Sequence, residues 1–365
     1  MTRRVLCLFL EFDWWEPARP LTYPVQLGLE EGLRASGCRP LTVTTPWLPR
    51  LKEICGSRRF DQVWVEIVHQ KALDDDRLGF LAELAPIRVG FVPESIRYDD
   101  ATYAASPQYR KREGTVRHRL KFLTHAVATD EVDAAEIDAG GDVRACWWPQ
   151  AVPRRFVADR PGGSGTGPAV FRGSLYGDRI AFARDESLRG LFEVAPPLEN
   201  GTVYPRLFDR LQMSATGWVG RGLGHPELAA AVHLRLLRRV RRRVFRRWMN
   251  ALGHDAVVVN LPHSVGTYPG RVTEAMAAGR PVVAWDVPGR PRNRALFEDG
   301  TEILLFSGTE PAALAAALSR LQRDPDLATA IATNGWRKVR RVHTIERRVE
   351  QILAWTDTGD APVFS

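Results

Sequence analysis

The feature that most constrains this chain is a repeated alternation. Short apolar runs are each followed by a stretch with helical spacing, in two series on either side of one glycine-rich break. In the first series Val5–Leu10, Leu41–Thr44, Val63–Val68, Arg88–Val92, Ala126–Thr129 and Val143–Trp147 read as strands. Between them lie helical patterns at Pro24–Ala35 (proline in the first turn), Leu78–Leu84, within Tyr109–Leu123, and at Glu131–Ala139. The run "RPGGSGTGP", residues 160–168, reads as a linker. The alternation then restarts. Strands fit Ala169–Arg172, Phe192–Ala195, Ala256–Val259, Pro281–Trp285 and Ile303–Phe306. Helices fit Tyr204–Leu211, Glu227–Met249, Arg271–Ala278, Pro311–Leu321, Leu327–Val339 and Ile345–Trp355. Strands that alternate with helices pair in parallel and are covered on both faces. The expected fold class is therefore α/β, with two Rossmann-like domains in tandem, 1–158 and 168–342, followed by a terminal segment, 343–365. Ligands of such sheets bind beyond the carboxyl ends of the strands, so chemistry is expected in the strand-to-helix loops.

Composition narrows the class. The 365 residues are 44% hydrophobic and 26% charged, ordinary for a globular enzyme. Only the short run Val5–Leu10 follows Arg3 and Arg4 before Glu11, too short for a signal peptide, and no stretch approaches the ~18–20 apolar residues of a membrane span. Cys7, Cys38, Cys55 and Cys146 lack paired metal spacing and read as free thiols of a reducing compartment. A cytoplasmic location follows as an expectation. The net charge of +8 concentrates in "RLLRRVRRRVFRR", where Leu237, Val240, Val244 and Trp248 keep helical spacing. The arginines of this Arg235–Arg247 segment then line the solvated sides of one amphipathic helix. That face is either plain solvated surface or a contact for an anionic membrane or an acidic partner, which would place the protein peripherally at the inner membrane surface. Nucleic acid is not expected, since no aromatic platform or helix-turn-helix signature accompanies it.

Two loops of the second series draw attention. The strand at Ala169 runs into "FRGSLYGDR", where Arg172, Gly173, Ser174, Tyr176 and Arg179 fall. Gly173 lets backbone approach a ligand and Ser174 can cap the next turn, so this is a phosphate cradle or a plain strand–turn–helix. The second loop, "NLPHSVGTYPGR", holds Asn260, Pro262, His263, Gly266, Tyr268, Pro269 and Gly270, and leads into a helix carrying Arg271, Val272 and Glu274. Glu274, in the expected first turn, is either a carboxylate favoured by the helix dipole and paired with Arg271, or an acceptor for two vicinal ribose hydroxyls. Gly279 stands at the left-handed C-cap and Pro281 forbids continuation. In the first series Glu11 and Asp13 follow strand one and Glu94 follows strand four, where each is either a loop cap or a base within reach of a ligand hydroxyl. Trp14 and Trp15 are either a stacking platform or core edge. "DDD" at 74–76 precedes a helical pattern and reads as a cap, not as metal ligands.

The segment "TYPGRVTEAMAAGRPVVAW" resembles the nucleotide-binding segment of GT-B glycosyltransferases, in which a Glu-Ala-Met-Ala-x-Gly-x-Pro-Val run recurs. More narrowly, the order of Gly173–Arg179, Arg271–Glu274 and the His-Thr segment His343–Arg347 resembles a bacterial glycosyltransferase family 1-like branch related to spore-maturation glycosyltransferases. Residues 130–156 resemble the last part of a GT-B first domain, and the likeness runs from about residue 125 to 355. The resemblance implies two sheets facing across a cleft, with the last helix returning to the first domain. It implies a nucleotide diphosphate sugar as donor and co-substrate, with no metal and no other cofactor required. Glu274 would hold the ribose, and the Gly173 loop and the helix start at Arg271 the diphosphate. Arg271, aided by Arg179, would meet the leaving group's charge. Many retaining enzymes of this fold carry another glutamate eight positions before this one, and here that position is Gly266. The sugar contact and the stereochemical outcome therefore stay open. So do two other readings: a non-hydrolysing sugar-nucleotide epimerase, and a catalytically silent GT-B-like binding protein.

Overall fold

The structure, a computed structural model, describes residues 2–9, 28–70, 72–98, 100–105, 108–163, 165, 167–195 and 225–364. Glu11, Asp13, Trp14, Trp15, the start of the Pro24–Ala35 pattern and the Tyr204–Leu211 pattern lie outside the described residues.

Six strands form the first sheet: β1 Arg4–Phe9, β2 Arg39–Thr44, β3 Gln62–Glu66, β4 Ile87–Val92, β5 His125–Ala128 and β6 Arg144–Trp147. Five form the second: β7 Ala169–Phe171, β8 Phe192–Val194, β9 Val258–Asn260, β10 Val282–Trp285 and β11 Leu304–Phe306. All described pairings are parallel. The orders are β2-β1-β3-β4-β5-β6 and β11-β10-β9-β7-β8. Each sheet thus places its second strand on the far side of its first. The chain reverses direction of winding between β1 and β3, and again between β7 and β9. Loops leaving those strands diverge there, at the place where sheets of this kind bind their ligands.

The strands are apolar throughout because both faces are covered. In β1 the side chains of Val5, Cys7 and Phe9 point to one face and those of Leu6 and Leu8 to the other, following the two-residue period of a strand. The first of these faces is closed by Leu29 and Leu33 of the helix Leu29–Ala35 and by the last helix, Ile345–Thr358. Ile345, Val349, Ile352, Leu353 and Trp355 of that helix pack with Val5, Cys7, Phe9, Trp64, Val89 and Phe91. Gly32 is its seat: a Cβ there would lie 2.6 Å from Val349 Cγ2. The crossing is stitched by backbone, Val152 N–H to His343 O at 3.2 Å and Ile345 N–H to Val152 O at 3.0 Å. Arg348, not Arg347, is the arginine that meets His343. It donates to His343 Nδ1 at 2.6 Å and to Pro149 O at 3.1 Å, fully buried, whereas Arg347 is exposed and pairs with Glu350.

The arginine segment departs from the expected solvated face in three of its eight arginines, while Arg235, Arg239, Arg243, Arg246 and Arg247 are exposed. It lies on a helix, Pro226–His254, that bridges the two halves of the chain. Arg238 pairs with buried Glu30, which also takes Arg34 at 2.9 Å, while Arg242 donates to Glu31 at 2.6 Å. Arg241 is buried, and Arg58 reaches Glu227 at 2.6 Å. Positions 238, 241 and 242 therefore face protein, because Glu30 and Glu31 bring two carboxylates to the same side of the helix. Asp74 caps its helix by accepting the N–H of Arg77, as a cap should.

Candidate functional site

The crevice between β7 and β9 gathers most of the residues singled out in the second series. Phe171, the last residue of β7, is the floor. The guanidinium of Arg271 lies 4.7 Å from its ring centroid and that of Arg179 lies 5.2 Å away. Tyr176 roofs Arg179 at 4.4 Å from the loop above. Arg179 is fixed by donating to Pro262 O at 2.7 Å and Ser174 O at 3.1 Å, so both loops are tied through it. Neither arginine has a carboxylate at ion-pair distance among the described residues. Gly173 gives the space: a Cβ there would meet Arg271 Nη2 at 2.5 Å. Burial, then repulsion by Arg179, pulls Arg271 down to about 10, against the pull of Glu274, and burial lowers Arg179 too. Two cations held side by side at such a cost imply an anion.

Other polar groups converge on the same place without partners. Asn260 Nδ2, Arg271 Nε and Trp285 Nε1 are shielded from solvent and unpaired among the described residues. Burial, then the charges of Arg179 and Arg271, presses His263 down to about 3 against a backbone bond with Val265, so the ring beside them is neutral. Buried groups of this kind are ordinarily satisfied, and here the missing partner has the character of an acceptor. The N–H groups of Gly270 and Arg271, at the start of the helix Gly270–Ala277, have no acceptor among the described residues either, whereas Val272 donates to Pro269 O.

Glu274 sits one turn into that helix rather than in its first turn, because the helix begins at Gly270. Helical side chains lean toward the N-terminus, and the carboxylate curls back over Gly270, where a Cβ would approach its Oε1 to 2.9 Å. Its hydrogen-bond partner is Trp248 Nε1 at 2.7 Å, not Arg271. Burial raises Glu274 to about 7, with the Trp248 bond and the Arg271 charge opposing the rise. Sequence reasoning missed Trp248 and Phe171. Trp248 was readable only as one member of an apolar helical stripe, and nothing in the sequence marks the last residue of β7 as a platform.

Three expected residues do other work. Arg172 does not join the crevice: Asp255 takes its guanidinium through two bonds, at 2.6 and 2.7 Å. Ser174 caps nothing, since the helix Arg179–Arg184 begins five residues later with Asp178 at its cap position. The Tyr268 ring lies in the core beside Phe297, although its N–H is held by Asn293 Oδ1 at 3.1 Å.

Gly266 faces the first sheet. Its N–H donates to Ser95 Oγ at 2.8 Å, Ser95 donates to Asp130 Oδ2 at 2.7 Å, and Arg290 clamps Asp130 at 2.6 and 3.0 Å. A Cβ at 266 would overlap Asp130 Oδ2 and come within 2.6 Å of Arg290 Nη2. Beside it Glu131 accepts the backbone N–H groups of Arg292 and Asn293 at 3.2 and 2.6 Å. The second loop is thus latched to the first sheet at the position where a glutamate would otherwise stand.

On the first sheet, the crevice beside β3 is lined by Glu66, His69 and Glu94. Glu66, buried at the end of β3, accepts the N–H groups of Val68 and His69 at 2.8 and 2.9 Å and lies 3.2 Å from His69 Nδ1. His69 Nε2 is 3.5 Å from Glu94, and Arg112 Nη1 donates to Glu94 at 2.8 Å. Burial alone would push Glu94 up, but bonding and charge from His69, then Arg112, hold it down to about 2. Burial likewise opposes the charged form of His69, yet its two carboxylate neighbours carry it up to about 9. Glu94 is therefore a fixed carboxylate with little affinity for a proton. Nothing in the sequence marks His69 beyond its place after a strand. Among the described residues, no three His, Cys, Asp or Glu side chains are grouped to hold a metal ion, and no helix is long and apolar enough to cross a membrane.

Against this geometry, residues 226–354 match the family model described as Glycosyl transferase-like. No curated protein matches the chain in sequence. Several solved structures share its fold. HepE from Anabaena, in complex with UDP-glucose, is similar over 98% of this chain and 100% of its own, with a TM-score of 0.55 at 12% identity. Sucrose-phosphate synthase from Thermosynechococcus elongatus covers 98% of each chain with a TM-score of 0.57 at 15% identity. A glycosyltransferase from Rickettsia africae covers 97% of each with a TM-score of 0.56 at 11% identity. This chain has the GT-B fold, two Rossmann-like parallel-sheet domains, and carries a glycosyl transferase-like domain over residues 226–354.

Proposed function

We propose that the protein transfers a sugar from a nucleotide diphosphate sugar to an acceptor nucleophile, and that the crevice between β7 and β9 holds the donor. The observation that carries this reading is the pair Arg179 and Arg271, stacked on Phe171 without a carboxylate partner and ringed by unsatisfied donors. A diphosphate supplies the acceptors they lack. The free N–H groups of Gly270 and Arg271 and the positive end of their helix add to the attraction. Glu274, displaced by one turn, accepts from the vicinal ribose hydroxyls. As the glycosidic bond breaks, charge grows on the departing nucleoside diphosphate. Arg271 and Arg179 already face that charge in a site shielded from water, so little reorganisation is needed during the reaction. The order of Gly173–Arg179, Arg271–Glu274 and His343 supports a place in the family 1-like branch related to spore-maturation enzymes.

The acceptor enters from the first sheet, beside His69 and Glu94. Efficient general bases titrate near the working pH, and Glu94, held at about 2, does not. We assign it instead to orienting an acceptor hydroxyl. The chemistry needs no metal in this reading, so transfer should persist in excess EDTA. Loss of activity restored by manganese or magnesium would contradict that part. A thermal-shift panel of nucleoside diphosphates and their sugars tests the donor site itself, with UDP first because HepE was captured with UDP-glucose. At 100 times its dissociation constant a ligand stabilises the fold by about 2.7 kcal/mol. A shift with a diphosphate and none with the bare nucleoside supports the proposal, and a panel without any shift opposes it.

A further inference from the structure

The helix Pro226–His254 has a second face that the domain contacts leave uncovered. Leu228, Val232, Arg235, Arg239, Arg243 and Arg246 are all exposed, Leu228 at 49% and Val232 at 37%. Their spacings of four, three, four, four and three residues keep them on one straight line, five turns and about 27 Å long at ~1.5 Å per residue. None of these four arginines has a carboxylate partner among the described residues. The one acidic residue of the helix, Glu227, is taken by Arg58. On one flank of the stripe Arg238 and Arg242 anchor the helix to Glu30 and Glu31, so the stripe is presented rigidly.

The geometry points to a docking surface for an anionic lipid bilayer. A straight row of guanidinium groups on a convex element matches a plane of phosphate headgroups, and each basic group near such a surface adds attraction. Two exposed aliphatic side chains continue the row at one end. They fit the boundary between headgroups and acyl chains, and they have no role against the phosphates of a nucleic acid. The inference is independent of the donor-site reading, since none of these residues touches the crevice.

The test is sedimentation of the full chain with vesicles of phosphatidylcholine alone, or of phosphatidylcholine and phosphatidylglycerol in equal parts. The protein should bind the mixed vesicles, release them as salt rises, and ignore the neutral ones. Reversing the stripe, Arg235→Glu with Arg239→Glu, Arg243→Glu and Arg246→Glu, should lower binding at least tenfold, and the milder Arg239→Gln with Arg243→Gln severalfold. A control of equal charge, reversing the exposed Arg184, Arg320, Arg323 and Arg337, should leave binding nearly intact. Leu228→Ser with Val232→Ser should weaken binding to the mixed vesicles but not to duplex DNA. Melting temperatures within a few degrees of the parent certify the folds. Equal loss in the control, equal binding to neutral vesicles, or DNA displacing the vesicles while the serine variant binds normally would each overturn the inference.

Discussion

Trp248 donates its indole N–H to the carboxylate of Glu274 across 2.7 Å, joining the helix that bridges the two sheets to the start of the helix at the donor crevice. The bond does two things. It fixes the carboxylate where it curls over Gly270, and it favours the charged form against burial.

Trp248→Phe keeps one aromatic ring, loses the pyrrole half of the indole and removes the donor. Hydrogen bonds to charged groups contribute about 1.5–3 kcal/mol. The variant should therefore lose about tenfold or more in nucleoside diphosphate affinity at neutral pH. Raising the pH should restore part of the loss, because Glu274 will have moved to a still higher pKa. Calorimetry across pH checks this, and a pH-independent loss would contradict it.

Glu274→Gln should trade binding for stability. The carboxyl titrates near 4.5 in an unfolded chain and at about 7 in the fold, so the folded protein holds the extra proton between those values. Stability contributed by the protonated form is present below pH 4.5, is lost as pH rises through 7, and stays lost above. At ~1.36 kcal/mol per pKa unit the burden is on the order of 3 kcal/mol at most. The glutamine variant should melt higher than the parent above pH 7 and indistinguishably below pH 4.5, while binding nucleotide more weakly. Such a carboxylate is a cost the fold carries for a ligand. A variant less stable at high pH would contradict this account.

Gly266→Ala forces a methyl into the contact with Asp130 and Arg290. Overpacking typically costs about 1–3 kcal/mol. Because the strain lies between three groups of one network, the cost should shrink in an Asp130→Ala background rather than add to it. Denaturant melts of the two single variants and the double variant give the coupling, and simple additivity would show that the latch is not where the side chain intrudes. Gly266→Glu, which restores the residue found in many relatives of this fold, should be worse than alanine.

The strand–helix alternation was legible because buried parallel strands are apolar on both faces, and all eleven described strands fall within the expected runs or within two residues of their ends. The helix that carries Glu274 was legible from the C-cap at Gly279, but its start at Gly270 and the bond from Trp248 were not. What was not legible came from contacts between distant segments. Glu30 and Glu31 look like an ordinary helix start until Arg238 and Arg242 arrive from more than 200 residues away. Arg172 reads as part of the glycine loop until Asp255 removes it. His69 gains its second carboxylate, Glu94, only when β3 and β4 are paired side by side. Local spacing reports which face a residue shares with its neighbours, but not which charge the fold will place opposite it.

The central claim is that Arg271 and its neighbours hold a diphosphate, and the most direct measurement is calorimetry of nucleoside diphosphate, monophosphate and nucleoside with the parent and with Arg271→Gln. The account predicts affinity that rises with each phosphate and falls with salt. Arg271→Gln should lose about 10–100-fold for the diphosphate, corresponding to one charge-assisted bond of about 1.5–3 kcal/mol, and almost nothing for the nucleoside. Equal loss for all three ligands, or a diphosphate that binds the variant as well as the parent, would contradict it.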